Sequence, residues 1–421
     1  MLRVDADLAA TIGRLAPTLE QELIALRRDL HAHPELSRAE VRTTRLVRAR
    51  LEHAGLSPRT LRGGTGLVCD IDGADPTVTI ALRADLDALP IVDEKDVSYR
   101  STVSGVCHAC GHDLHIAVVL GAGLVLSDLA AEGRLPGTVR LIFQPAEEQL
   151  PGGALDVMAT GELDDVERIF AVHCDPRTDV GQVALRAGSI TAAADFIGVR
   201  LFGPGGHTAR PHLTADLVFA LAKIVTELPA ALSRRVDPRS GLSLVWGRIA
   251  AGAAANAIPQ TGHIEGTVRC LDAGAWHVAP QILEELVQGL ARMYGVTAEI
   301  EYRRGVPPVV NDHEAIGLLD HAARAVLGED AVTWTEQSLG GEDFAWYLEK
   351  VPGALARLGV RRPGDADARD LHQGAFDVDE RAILVGVRLL AATALMATAA
   401  TAGESPAHLP AAGVLPFSRP A

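Results

Sequence analysis

Apolar residues recur at helical spacing from residue 19 to 56, with a break at His33-Pro34-Glu35. Proline has no backbone N–H to donate, so the pattern predicts a long amphipathic helix, a stop, and a second helix over 39–53. β-rich runs follow at 66–71, 77–83, 138–144 and 168–173, with helical stretches at 112–129 and 153–160 among them. Strands alternating with helices predict a largely parallel sheet covered by helices on its faces.

Beyond residue 190 the rhythm changes. Strand patterns at 195–201, 243–249, 263–269 and 298–302 enclose helical ones at 214–232 and 276–294. That β-α-β-β-α-β order predicts a compact sandwich with an open sheet, inserted into the first domain. The α/β pattern resumes after Val306. The expected fold class is therefore α/β: a discontinuous catalytic domain (1–190 and 307–400) with a mixed, largely parallel sheet, plus an α+β insert over 191–306. A final apolar stretch at 382–400 is dominated by alanine and carries Arg388 a third of the way along, which favours a buried core helix over a membrane span. The Pro- and Ala-rich tail, 401–421, is expected to be disordered.

Composition narrows the function classes. Against 54 Asp and Glu stand 39 Lys and Arg, a net charge of −15 with no long basic run. Such a field repels phosphate backbones, so no nucleic-acid partner is expected, and no membrane partner either. Asp5, Asp7, Glu20, Glu22 and Asp29 interrupt the first thirty residues, which no secretory signal core tolerates. The five cysteines are odd in number and irregularly spaced, which argues against a disulfide framework. A cytoplasmic location is expected.

The densest chemistry is Cys107-His108-Ala109-Cys110-Gly111-His112-Asp113-Leu114-His115, rich in the thiolate and imidazole ligands that borderline-soft divalent metals prefer. A zinc ribbon would need a second CxxC, and haem attachment a histidine where Gly111 stands. A thioredoxin-like redox pair would leave His112, Asp113 and His115 idle. Gln144-Pro145-Ala146-Glu147-Glu148 follows an apolar run, placing two adjacent carboxylates at a strand end, where open α/β sheets hold ligands. On an extended backbone their side chains would point to opposite sides, one toward a metal and one toward a water. His173 ends another apolar run, and His372 follows a charged loop late in the chain.

Taken with Leu82-Arg83-Ala84-Asp85-Leu86-Asp87-Ala88-Leu89-Pro90, Gly205-Gly206-His207-Thr208-Ala209-Arg210-Pro211-His212, Asn256-Ala257-Ile258-Pro259 and Gly340-Gly341-Glu342-Asp343-Phe344, these motifs resemble the amidohydrolase branch of the dinuclear-metal aminoacylase/carboxypeptidase superfamily. That branch includes hippurate hydrolases, N-acyl-amino-acid amidohydrolases and plant auxin-conjugate hydrolases. The resemblance spans residues 20–400. It implies that Cys110, His112, Glu148, His173 and His372 ligate two divalent ions per subunit (zinc, manganese, cobalt or nickel). It further implies metal-bound water as nucleophile and Glu147 as general base, acting on the amide of an N-acyl amino acid. Arg83 stands where relatives outside the branch carry a metal-binding histidine, and Asp85 and Asp113 become candidates for orienting the ligands. Cys107 departs from the usual pattern and reads as a small buried residue.

By the same resemblance the insert is a lid and dimerisation domain. His207, delivered by a glycine-rich loop, would stabilise the oxyanion, at the partner's site in a homodimer or higher homo-oligomer, and Asn256 would hold the substrate carboxylate. Two other readings compete. One is a dipeptidase or carboxypeptidase with the same dinuclear mechanism; the other is a non-catalytic metal-binding or redox protein using Cys107 and Cys110.

Overall fold

The computed structural model describes residues 6–365 and 369–401. They form two compact units. One takes in the chain up to Gly188, Asn311–Glu336 and the part from Trp346 on; the other is Ser189–Val310 with Gln337–Ala345.

In the first unit the eight-stranded sheet runs in the order Arg59–Thr60, Leu67–Ile71, Gly137–Gln144, Asp75–Asp85, Val166–Asp179, Gly353–Arg361, Val183–Leu185 and Val332–Trp334. Its four central strands, from Gly137–Gln144 to Gly353–Arg361, are mutually parallel, with antiparallel neighbours on either side. Every residue of Gly137–Gln144 is buried, as a strand covered on both faces requires. The expected mixed, largely parallel sheet is borne out. So are the two helices around the proline break, Glu20–Ala32 and Val41–His53, preceded by a further helix at Ala6–Leu15 that the sequence reading did not anticipate.

Two helices, His112–Ala131 and Ala382–Thr401, are long and apolar enough to cross a bilayer. Both lie largely buried in this unit and pack against each other, so they are core helices, as expected for the second. Their contact is close: a Cβ on Gly121 would meet Val387 at 2.6 Å, and one on Gly386 would meet Val118 at 2.7 Å. The tail expected to be disordered lies, from residue 402 on, outside the described residues, while Thr401 closes the last helix.

The second unit has the predicted β-α-β-β-α-β order. Its antiparallel sheet runs Ser243–Ala251, Thr261–Cys270, Ala193–Phe202, Thr297–Val306. Helices Leu217–Arg235 and Ala273–Met293 pack on it through a core that includes Ile197, Val199, Leu201, Ile224 and Leu283. A buried carboxylate ties the sheet to its second helix: Asp195 accepts from Trp276 Nε1 at 2.7 Å, the Tyr302 hydroxyl at 2.6 Å and the Gly305 N–H at 2.9 Å.

Candidate metal centre

Parallel strands bring their carboxyl ends to one rim, and the donors gather there. Asp85 pairs with Gln144 at the ends of adjacent strands, and Arg83 pairs with Ala171, which sets His173 two residues further along the next strand. Glu147 and Glu148 follow Gln144 immediately. His112 opens the helix His112–Ala131 just after Gly111, whose φ of +80° and close approach to Cys174 demand glycine: a Cβ there would lie 2.5 Å from the Cys174 sulfur.

Around His112 the geometry is tight. Its Nε2 lies 4.0 Å from Glu147 Oε2, 3.9 Å from Glu148 Oε1 and 3.8 Å from Asp85 Oδ2. The Cys110 sulfur is 3.5 Å from His173 Nε2, and His372 Nε2 is 3.3 Å from Glu148 Oε1. Donor atoms sharing an ion 2.0–2.3 Å away sit about 3–4 Å apart, so these spacings suit coordination. Cys110 belongs to two donor groups at once, one with His112 and His173, the other with Glu148 and His372. Its sulfur is thus the donor common to these two groups.

The ring orientations also suit metal binding. His112 Nδ1 lies 2.8 Å from the Asp87 carbonyl and His173 Nδ1 lies 2.9 Å from the Cys174 carbonyl. Each Nδ1 therefore carries the proton it donates, and each Nε2 presents a lone pair inward. Among the described residues the buried Nε2 of His112 has no hydrogen-bond partner. Burial alone would lower the His112 pKa, yet Asp85, Asp87 and Glu148 push it up to about 10. These carboxylates favour positive charge at His112, which a metal ion at its Nε2 would supply in place of a second proton. Burial, then Glu148, Glu147 and Asp85, raise the Cys110 thiol well above its usual range. His173 is lowered by burial, then by Arg357 and His115. The residues therefore fit two divalent ions.

His372 arrives by a different route. It is half-exposed, has a φ of +62°, and its N–H donates to the Ala109 carbonyl at 2.8 Å, which anchors it beside Cys110. A non-glycine residue in that conformation persists only where its surroundings over-determine it.

The structure separates the two aspartates picked out in the sequence. Asp85 touches the donor cluster: its Oδ1 accepts from His115 Nδ1 at 2.7 Å and its Oδ2 from Arg83 at 2.6 Å. Asp113 faces away, 2.7 Å from both Arg27 and His31 in a fully buried network that clamps the start of its helix to Glu20–Ala32. The glutamate pair also departs from expectation. It lies past the strand end in a bend, not on an extended backbone, and both carboxylates approach the same atom, His112 Nε2. Cys107 is buried, as read from sequence, and burial lifts its thiol to about 11, which makes it a poor nucleophile.

Sequence reasoning passed over the groups that hold this turn. The N–H of Ala146 donates to Glu40 at 2.8 Å, while those of Glu147 and Glu148 donate to the two oxygens of Asp87, each at 3.0 Å. His115, whose place in the motif assigns it no role, links Asp85 to the Cys174 N–H, which its Nε2 accepts at 2.9 Å. The signal for Asp87 was its place two residues past Asp85; for Glu40 there was none.

In the second unit, His207 and Asn256 come together. His207 pairs with Ala257 in a short antiparallel ribbon, and the Thr208 N–H donates to the Asn256 carbonyl at 3.3 Å. His207 Nδ1 accepts the Ala209 N–H at 3.0 Å, so its proton sits on Nε2 and the exposed ring is a hydrogen-bond donor.

Comparison with known proteins places the chain in a family. The profile of peptidase family M20/M25/M40 matches residues 81–396. A glutamate–cysteine ligase 2-3 of Rhodococcus jostii is 50% identical over 89% of this chain, which spans only 46% of that longer protein. The N-acetyl-L-cysteine deacetylase of Bacillus subtilis is 38% identical, covering 87% of this chain and 86% of its own length. Among solved structures, the Bacillus subtilis YXEP protein, a dinuclear metal binding peptidase from the M20 family, superposes with a TM-score of 0.80 at 34% identity, over 91% of this chain and 99% of its own. The chain belongs to peptidase family M20/M25/M40 and, within it, to the amidohydrolase branch of metal-dependent hydrolases.

Proposed function

We propose that this hydrolase cuts the amide bond of N-acyl amino acids, with Cys110, His112, Glu148, His173 and His372 holding two divalent cations and Glu147 as general base. The observation that carries the reading is the convergence of Glu147 and Glu148 on His112, with the sulfur of Cys110 common to both donor groups. Zinc, manganese, cobalt and nickel all suit one thiolate among nitrogen and oxygen donors. When bound, the ions supply Lewis acidity toward the scissile carbonyl and acidify water.

The two glutamates divide the remaining work. Glu148 has its Oε1 beside His372, which fits a ligand. Glu147 takes the proton of the attacking water and returns it to the departing amine. Asp85, bonded to Arg83 and His115, holds His115 in place and adds negative charge 3.8 Å from His112 Nε2 rather than binding an ion itself. Asp113 acts only by fixing the helix that carries His112. His207, a donor through Nε2, suits a developing oxyanion, and Asn256 beside it suits the substrate carboxylate. We assign both to the active site of a second copy in a homodimer or larger homo-oligomer. A cytoplasmic location accords with five buried cysteines, all unpaired.

N-acetyl-L-cysteine is the first substrate to try, since the relative of that specificity aligns over most of its length. The same centre would serve a dipeptidase or carboxypeptidase, and the family's description as peptidases favours keeping that reading. Metal-stripped protein, reloaded with each ion in turn, should be assayed against N-acetyl amino acids, hippurate and dipeptides. Faster turnover of acyl amino acids supports the proposal; turnover confined to dipeptides overturns it.

A further inference from the structure

Asp87 belongs neither to the donor set nor to the base, yet three functional residues depend on it. Its side chain is buried. Oδ1 accepts the Glu147 N–H and Oδ2 the Glu148 N–H, both at 3.0 Å. Oδ2 also accepts the Ser37 hydroxyl at 2.6 Å. The backbone carbonyl of the same residue lies 2.8 Å from His112 Nδ1. One residue therefore fixes the peptide planes from which both glutamates project and the ring against which both are measured.

Such bridging has a geometric reason. The preceding residue, Ala146, sits at a φ of +55°, so the chain turns sharply after Gln144 and points successive N–H groups inward. Without acceptors these donors, partly or wholly withdrawn from water, would be left unsatisfied. Glu40 serves the first, and the Asp87 carboxylate serves the next two as a pair. Each oxygen of Asp87 thus specifies one glutamate, and the pair of bonds fixes the rotation of the turn.

We infer that Asp87 is the positioning residue of the general base: it locks the Glu147-Glu148 turn at a set distance from His112 so that Glu147 meets the water rather than the cations. The inference rests on the proposed roles of Glu147 and the ligand set. Positioning of this kind is worth much in rate, because a displacement of about 1 Å at a reacting group costs on the order of a hundredfold.

The test separates side chain from backbone. Asp87→Asn replaces one acceptor by an amide N–H that confronts a donor, but it leaves the carbonyl that holds His112. The expected result is a fall in kcat of about a hundredfold with KM changed less than about threefold. The Cys110-to-cobalt charge-transfer band of the cobalt-loaded protein should persist, since the sulfur is untouched and His112 keeps its 2.8 Å bond to the Asp87 carbonyl, the shorter of its two contacts with that residue. Asp87→Glu, which keeps both oxygens on a longer arm, should recover part of kcat. Ser37→Ala, which removes only a donor to Asp87, should stay near the parent. Parental kcat in Asp87→Asn overturns the inference. So does loss of the cobalt band in both Asp87 variants, which would make the residue a mere scaffold. If the parent protein hydrolyses no acyl amino acid at all, the functional reading has failed instead, a result visible before any variant is made.

Discussion

At the scale of single residues, the division of labour between two adjacent glutamates is the sharpest point. Both reach His112, so distance alone does not separate base from ligand; the neighbour of each does. Glu148 shares a donor group with Cys110 and His372, whereas the donor groups that include Glu147 contain neither. Glu147→Gln keeps the shape and removes the proton acceptor. Turnover should fall by about 10²–10⁴-fold while the protein still binds two equivalents of metal, measured by atomic absorption after gel filtration. Loss of one equivalent would transfer the ligand role to Glu147. The motif residues were legible in the sequence because their chemistry is rare: thiol, imidazole and paired carboxylate in a fixed order. Asp87 and Glu40 were not legible, because a carboxylate that caps backbone N–H groups is indistinguishable in sequence from one that faces water. His112 explains the same limit from the other side, since its spacing to Cys110 was visible but the choice of Nε2 over Nδ1 was set by the Asp87 carbonyl.

Among the elements, strands were easier to read than the turns between them. The fully apolar run at Gly137–Gln144 and the helix-spaced run at Glu20–Ala32 announce themselves through periodicity. The bend after Gln144 does not, since it depends on Ala146 in a left-handed conformation stabilised by two carboxylates from elsewhere. Ionic ties between strands are equally hidden. Asp70 and Arg140 face each other across Leu67–Ile71 and Gly137–Gln144, with contacts of 2.7 and 3.1 Å, and Arg140 reaches Asp165 as well. Burial alone would raise the Asp70 pKa, but Arg140 and Arg59 hold it below the ordinary carboxylate range. A depressed folded value stabilises the native state above the unfolded value, near pH ~4, and that contribution is lost as pH falls through the folded one. Asp70→Asn should therefore cost about 1–2 kcal/mol at pH 7 in urea unfolding. The gap to the parent should narrow below about pH 4. A gap independent of pH would mean the pair contributes packing rather than charge.

For the whole molecule, metal binding and assembly each have a distinct signature. An ion bound only by the native state stabilises it by about 2.7 kcal/mol at a hundred times its Kd. Adding a divalent ion back to stripped protein at that level should raise the melting temperature by roughly 3 °C per ion bound, read by calorimetry. His372→Ala should abolish part of that rise, since it deletes one donor of the Glu148 group and spares His112 and His173. Assembly calls for a different measurement, because His207 and Glu147 lie in separate units of the chain. His207→Ala and Glu147→Gln should each be nearly inactive alone. If His207 serves the active site of its partner, a mixed dimer joins an intact base from one chain to an intact histidine from the other. Equal amounts of the two variants, exchanged to equilibrium, should then recover roughly a quarter of parental activity, because half the dimers are mixed and each has one complete site. Should His207 act within its own chain, no mixture contains a complete site, and activity stays at the level of the separate variants however long they exchange.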